Sequence, residues 1–395
     1  MSPRHLRQIM LVIGALLLGI GIMAVYSSSA LISEATYGGS LHFLTNHLLA
    51  IACGVAVALG VLSVSFERLR RLAPWLFLLS VILLLLVDLF GQEAGGAKRW
   101  FRIGRWSLQP SAFAQVSLIL YLADLLARRV DRIEDFWKGL VPPLLATGIT
   151  AGLVLIQPDL GTTIAMGAVS LLLLVVAKAR WHHLAAVIAV LAVVLVMLIA
   201  GEAYRRRRIL AFLNPWADPQ GSGYQIIQSY LALASGGLAG LGIGGSLQKL
   251  FFLPNAHTDF IFAILGEELG LIGTSAVLGL FALFLICGFR IAIAANDLFS
   301  KYLVCGLVGM IGFEMMINIA VVTGLLPTKG LPLPLISYGG SSMMMHLIAC
   351  ALIVHASRHG ERLTGEPRPT LPLAGWQWGH HPSGEVGRGE GALGR

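Results

Sequence analysis

Residues 183–201, HLAAVIAVLAVVLVMLIAG, run for nineteen positions without an acidic or permanently basic side chain. A hydrocarbon core about 30 Å thick is crossed by roughly 20 mostly apolar residues in a helix, so this stretch reads as a transmembrane span. Working outward, nine further runs of the same kind are bounded by charge, Pro or Gly, at approximately 9–31, 42–65, 72–90, 110–127, 139–156, 160–178, 258–289, 302–326 and 341–357. The pattern predicts an all-α polytopic membrane protein of about ten transmembrane helices, with a large extracytoplasmic loop between spans seven and eight. Composition agrees: 56% of the 395 residues are hydrophobic and 12% charged, which excludes a soluble globule and a disordered chain alike. No ten-residue units of alternating polarity appear, so a β-barrel is excluded. Arg4 and Arg7 precede the first run as they would in a secretion signal. That run is longer than a signal core, and it reads as a retained first helix.

Ten spans put both termini on one side, and Lys and Arg say which. With the termini inside, eighteen of the 28 basic residues fall on inner segments. The other ten gather in three outer segments: Lys98, Arg99, Arg102 and Arg105 in one, Arg205 to Arg208 with Lys249 in the second, and Lys329 in the third. The net charge of +8 comes with no aromatic-interleaved basic stretch and no zinc spacing, so nucleic acid is not a partner. Cys53, Cys287, Cys305 and Cys350 lie in or beside apolar runs without paired spacing and read as small buried hydrophobes. The outer segment 202–257 is too polar and Gly-rich to span, and its stretch YQIIQSYLALASGGLAGLGI is expected to lie along or re-enter the membrane surface. The transmembrane domain thus covers 1–357, and 358–395, rich in Gly, Pro and charge, reads as a disordered cytoplasmic tail.

Acids at membrane depth are costly and therefore informative. Asp88, Asp124, Asp159, Asp259, Glu267, Glu268 and Glu314 qualify. Asp88 and Asp124 stand near span ends or near Arg128, and a structural role suits them. Glu314 has Asn318 one turn along the same face, where a structural hydrogen bond competes with function. LPNAHTDFIFAILGEELG, 253–270, brings the chain from Pro254 to a helix expected to begin near Thr258, with Asp259 in its first turn at the outer boundary. The helix terminus favours an ionised carboxylate there, while partial burial raises its pKa, and a general base needs both. Plain capping by Thr258 and Asp259 is the competing reading. Arginine forks around such a base suit phosphate or pyrophosphate oxygens. In LLPTKGLPLPLISYGGSS, 325–342, the prolines exclude regular helix, so the segment reads as the wall of a polar cavity.

AKRWFRIG with LQPS, then QPDLGTT, NPWADPQGSGYQIIQS, LPNAHTDFIFAILGEELG and PTKGLPLPLISYGGSS together resemble the SEDS family, the polytopic peptidoglycan glycosyltransferases that include FtsW, RodA and SpoVE. The resemblance spans roughly 10–357, and NPWADP and PTKGLPLP are similar to the cell-division and sporulation branch. It implies inverting polymerisation of lipid II at the outer face of the cytoplasmic membrane, at the division septum, with a class B penicillin-binding protein and other division proteins as partners. It implies that Asp259 is the catalytic residue. Substrate contacts are expected at Lys98, Arg99, Gln109, Ser111, Asp159, Arg205, Arg206, Lys249, His257, Thr258, Lys329, Ser337, Tyr338, Ser341 and Ser342. A divalent cation, Mg or Mn, is an open expectation. Four positions depart from the family: Ala112 and Gln115 stand where Glu and Lys are common, so no role is assigned there, and Asn214 and Asn255 stand where Asp and Glu are common. A lipid II flippase and a non-catalytic division scaffold are the competing readings. The clustering of cations on the outer loops favours the polymerase over the flippase.

Overall fold

The computed structural model describes residues 2–94, 97–103, 106–250 and 252–363. Ten apolar helices run through it: α1 (Pro3–Tyr37), α2 (His42–Ser63), α3 (Phe66–Phe90), α4 (Pro110–Arg128), α5 (Val141–Ile156), α6 (Leu160–Val176), α7 (Trp181–Gly201), α10 (Ile261–Ile293), α11 (Leu298–Val322) and α12 (Gly340–Leu363), while α8 (Ala203–Leu213) and α9 (Tyr224–Gly236) lie between α7 and α10. Among the described residues, nine are long and apolar enough to cross a bilayer, α5 counting as one of them together with the helical residues before it, as Phe136–Ile156, and α6 is a shorter apolar helix. The chain is therefore a multi-pass membrane protein. The ends of α1 show how sequence sets the boundaries. Ser2 accepts from the His5 N–H, Pro3 occupies the first turn, and Gly38 closes the helix at φ 72.

The centre is built from α4, α10 and α11. Helix α10 packs on α1, α9 and α11, and α11 packs in turn on α4 and α6. Phe281, Phe284 and Phe299 are among the largest fully buried side chains. Helix α7 is the opposite case: only Leu184 is buried, and its neighbours are α6 and α8. Its apolar surface is covered by lipid rather than by protein. Inside α10 the helix breaks at Gly270, with φ 65. Any Cβ there would strike the backbone of Leu238 and Gly240, so both the torsion and the close approach call for glycine.

The structure departs from the sequence expectation in four places. The segment before α4 is a small antiparallel sheet of β1 (Gln92–Ala94), β2 (Ala97–Ile103) and β3 (Trp106–Leu108), ordered β1-β2-β3. The apolar stretch at 224–236 is a helix packed on the bundle: Ile226, Ile227, Ser229, Ala232 and Gly236 are buried, and Ser229 donates to the Val322 carbonyl at 2.7 Å. Helix α12 continues to Leu363, so 358–363 are helical; the rest of the expected disordered tail lies outside the described residues. Finally, α10 begins at Ile261, not near Thr258. The carbonyls of His257, Thr258 and Asp259 are taken by Tyr338 N–H at 3.0 Å, Ser337 Oγ at 2.6 Å and Asn318 Nδ2 at 2.8 Å. These partners hold the chain in a turn until Phe260.

Candidate active site

Asp259 thus sits on a pinned turn two residues before α10, rather than in its first turn. Pro254 stiffens the approach, and Asn255 takes the left-handed φ of 57 that reverses the chain. Thr258 donates to the Asn255 carbonyl at 3.2 Å, and its own carbonyl receives Ser337, so it serves the turn. Opposite, the proline-rich segment after α11 passes close by: a Cβ on Gly330 would stand 3.0 Å from Asp259 Oδ2. Asn318 joins the two segments, donating to both the Asp259 and the Leu331 carbonyl, at 2.8 and 2.7 Å.

Asp259 is half-buried, and burial raises the pKa of its carboxyl to about 7. Arg208 and Arg99 work against that rise, and Asp159 adds to it. A group with this pKa is part carboxylate and part acid at neutral pH, which is what a proton acceptor in a catalytic step requires.

Three elements deliver the cations. Arg99 lies on β2, where neighbouring side chains face opposite ways. It turns inward and donates to the Gln157 and Pro158 carbonyls at 2.6 and 2.7 Å, while Lys98 is exposed. Arg208 stacks over Tyr204, 4.6 Å from the ring centroid, and donates to the Thr328 carbonyl at 2.7 Å. Lys329 follows Thr328, and burial lowers its pKa to about 8 against the pull of Asp159. Asp159 caps α6, accepting from Thr162 N–H at 3.1 Å and Thr162 Oγ1 at 2.8 Å. Arg99, Arg208 and Lys329 therefore converge on the neighbourhood of Asp259 and Asp159.

Other expected contacts are placed elsewhere. Lys249 is buried, with Nζ 2.9 Å from Glu268 Oε1 and 3.0 Å from Ser27 Oγ, so its charge is neutralised inside the protein instead of facing a substrate. Glu267 accepts from Ser235, Ser246 and the N–H groups of Leu247 and Gln248, and both acids are structural anchors. Arg205 turns back to the Leu198 carbonyl at 2.9 Å, and Arg206 is exposed. Ser341 bonds Gln109 N–H and the Ser107 carbonyl at 2.9 and 3.1 Å, tying α12 to β3. Gln109 takes part through its backbone, and Ser111 is buried in the first turn of α4. Glu314 pairs with His346, 2.6 Å away, rather than with Asn318, and Ser342 reaches the other ring nitrogen at 3.4 Å. Asp124 is held by Arg70 at 2.7 Å and Arg128 at 2.8 Å, a structural pair. Arg105 lies outside the described residues. The residue that sequence reasoning left undistinguished is Arg208. One turn separates it from Tyr204, and that spacing was the available signal.

His257 and Tyr338 meet a ring from α2. Phe43 lies 4.8 Å from His257 and 5.4 Å from Tyr338, and those two are 5.6 Å apart. Burial lowers the pKa of His257 to about 4, so the imidazole is neutral.

Comparison with known proteins gives a consistent answer. Residues 7–362 match the family described as cell cycle protein (FtsW, RodA, SpoVE). The chain is 38% identical over 361 residues, 91% of its length and 96% of the relative's, to the probable peptidoglycan glycosyltransferase FtsW of Geobacter metallireducens. It is 39% identical over 353 residues, 89% of its length and 96% of the relative's, to stage V sporulation protein E of Bacillus subtilis. Among solved structures it resembles a chain from a peptidoglycan synthase complex that coordinates polymerization and crosslinking, with a TM-score of 0.75 and 30% identity, covering 89% of this chain and 97% of that one.

Proposed function

The chain belongs to the FtsW/RodA/SpoVE family of cell cycle proteins, and from that premise we propose that it is a peptidoglycan glycosyltransferase that polymerises lipid II into glycan strands during cell division. The observation that carries the mechanism is Asp259: a carboxyl with a pKa near 7, flanked by Arg208 and Arg99. Asp259 accepts the proton of the acceptor sugar's 4-hydroxyl. That oxygen forms its bond to the donor's anomeric carbon as the bond from carbon to the pyrophosphate oxygen breaks, and undecaprenyl pyrophosphate leaves. Direct displacement inverts the anomeric centre. Charge developing on the leaving group is met by Arg208, Lys329 and Arg99, cations already fixed in place before the reaction.

The donor set suits a resident metal poorly. Among the described residues no three His, Cys, Asp or Glu side chains cluster to hold one. A Mg or Mn ion would have to come with the substrate's own phosphates, and no step is assigned to it.

The proposal extends to setting. Both termini are proposed to lie in the cytoplasm and the site on the outer face of the inner membrane, at the division septum, a reading that the distribution of basic residues supports. A class B penicillin-binding protein is the proposed partner, supported by the likeness to a chain of a peptidoglycan synthase complex.

The test is polymer formation from labelled lipid II by the purified protein with that partner. Glycan strands are expected. Translocation of lipid II in vesicles without polymer would favour a flippase instead.

A further inference from the structure

The surroundings of Asp259 are divided by chemistry. One group is the cations, brought by β2, α8 and the segment after α11. The other is a set of aromatic and imidazole rings, brought by the ends of α1 and α2, by the turn itself through His257 and by the segment just before α12. The rings touch in a chain. Tyr37 stacks on His42 at 3.9 Å and both approach Phe43, at 5.8 and 5.7 Å; Phe43 in turn meets His257 and Tyr338. Tyr37 is 56% exposed and the others are half-buried, so the chain of rings leads from the surface to the turn that carries the base. Behind it, His47 is 1% exposed, 6.0 Å from the Tyr338 ring, and neither of its ring nitrogens has a hydrogen-bond partner.

Aromatic rings and the neutral imidazole of His257 are poor ligands for pyrophosphate and good ones for sugars. The C–H face of a pyranose packs on the negative face of an aromatic ring, and phenol and imidazole edges bond its hydroxyl and acetamido groups. Inverting displacement adds direction, because nucleophile and leaving group lie on opposite sides of the anomeric carbon. The cations suit the leaving pyrophosphate, which leaves the rings beside the Asp259 turn for the attacking sugar. We propose that Phe43, His257 and Tyr338, with Tyr37 at the rim, form the acceptor subsite, which binds the terminal N-acetylhexosamine whose 4-hydroxyl faces Asp259. This rests on the polymerase reading and deepens it.

The experiment separates donor from acceptor. A lipid II analogue lacking the 4-hydroxyl acts only as donor, and one with a non-cleavable phosphonate in place of the pyrophosphate acts only as acceptor. Single coupling is then measured with each varied alone. Phe43→Leu is expected to raise half-saturation for the acceptor about tenfold, with donor half-saturation and limiting rate within about twofold of wild type. Phe43→Tyr should restore it. Tyr37→Ala, at an exposed position that folding tolerates, should raise acceptor half-saturation about threefold, which keeps the test decisive if Phe43→Leu does not fold. Unchanged acceptor half-saturation, an equal rise for both substrates, or a fall in limiting rate alone would overturn the subsite while leaving the polymerase reading intact. A wild-type protein that couples nothing overturns the polymerase reading and the subsite with it.

Discussion

Arg208 donates through Nη1 to the carbonyl of Thr328 at 2.7 Å, and this bond fixes a guanidinium from α8 to the segment that closes over Asp259. Lys329 and Gly330 follow directly, so the bond ties Arg208 to the segment that carries Lys329 and passes Asp259 at Gly330.

The first prediction concerns the acid limb of the pH profile. Asp259 works as carboxylate, so activity should rise with pH through about 7. The positive charge of Arg208 favours the ionised form, and Arg208→Gln should therefore raise the pKa and move the limb to higher pH. Asp159 opposes ionisation, so Asp159→Asn should move the limb lower. Profiles of kcat/KM for the three proteins decide this, and coincident limbs would contradict it.

The alkaline limb belongs to Lys329. Its ammonium, with a pKa of about 8, loses its charge above that pH, and with it the attraction to a pyrophosphate. Lys329→Arg keeps the charge at any accessible pH. The variant is expected to extend activity upward, and an unchanged alkaline limb would remove Lys329 from the anion site.

Lys249 should behave as a structural residue. Lys249→Met leaves Glu268 buried without its counter-charge, at a cost of about 3–5 kcal/mol. A lower unfolding temperature with an unchanged KM for lipid II is expected. A raised KM at unchanged stability would return Lys249 to the substrate.

How much of this was legible beforehand varies from residue to residue. The spans were, because a bilayer demands about 20 apolar residues per crossing and leaves little freedom. Asp259 stood out as an acid at the outer boundary, with capping as the competing reading, and its place on a turn two residues before α10 is what the sequence did not show. The pairing of Lys249 was not legible because its partner Glu268 comes nineteen residues later, beyond a turn whose path the sequence does not specify. Among the four arginines of α8 only the one-turn spacing from Tyr204 marks Arg208 in the sequence, and the docking of α8 on Thr328 is what brings it to the site. The strands at 92–108 were hidden by their shortness, with two of the three only three residues long.

Replacement of the base is the most direct test of the whole account. Asp259→Asn keeps the size of the side chain and removes its capacity to accept the proton. With purified protein, partner and labelled lipid II, polymerisation should fall by about 10²–10⁴, with lipid II binding within a few-fold of wild type. Polymerisation at near wild-type rate would show that Asp259 is not the base.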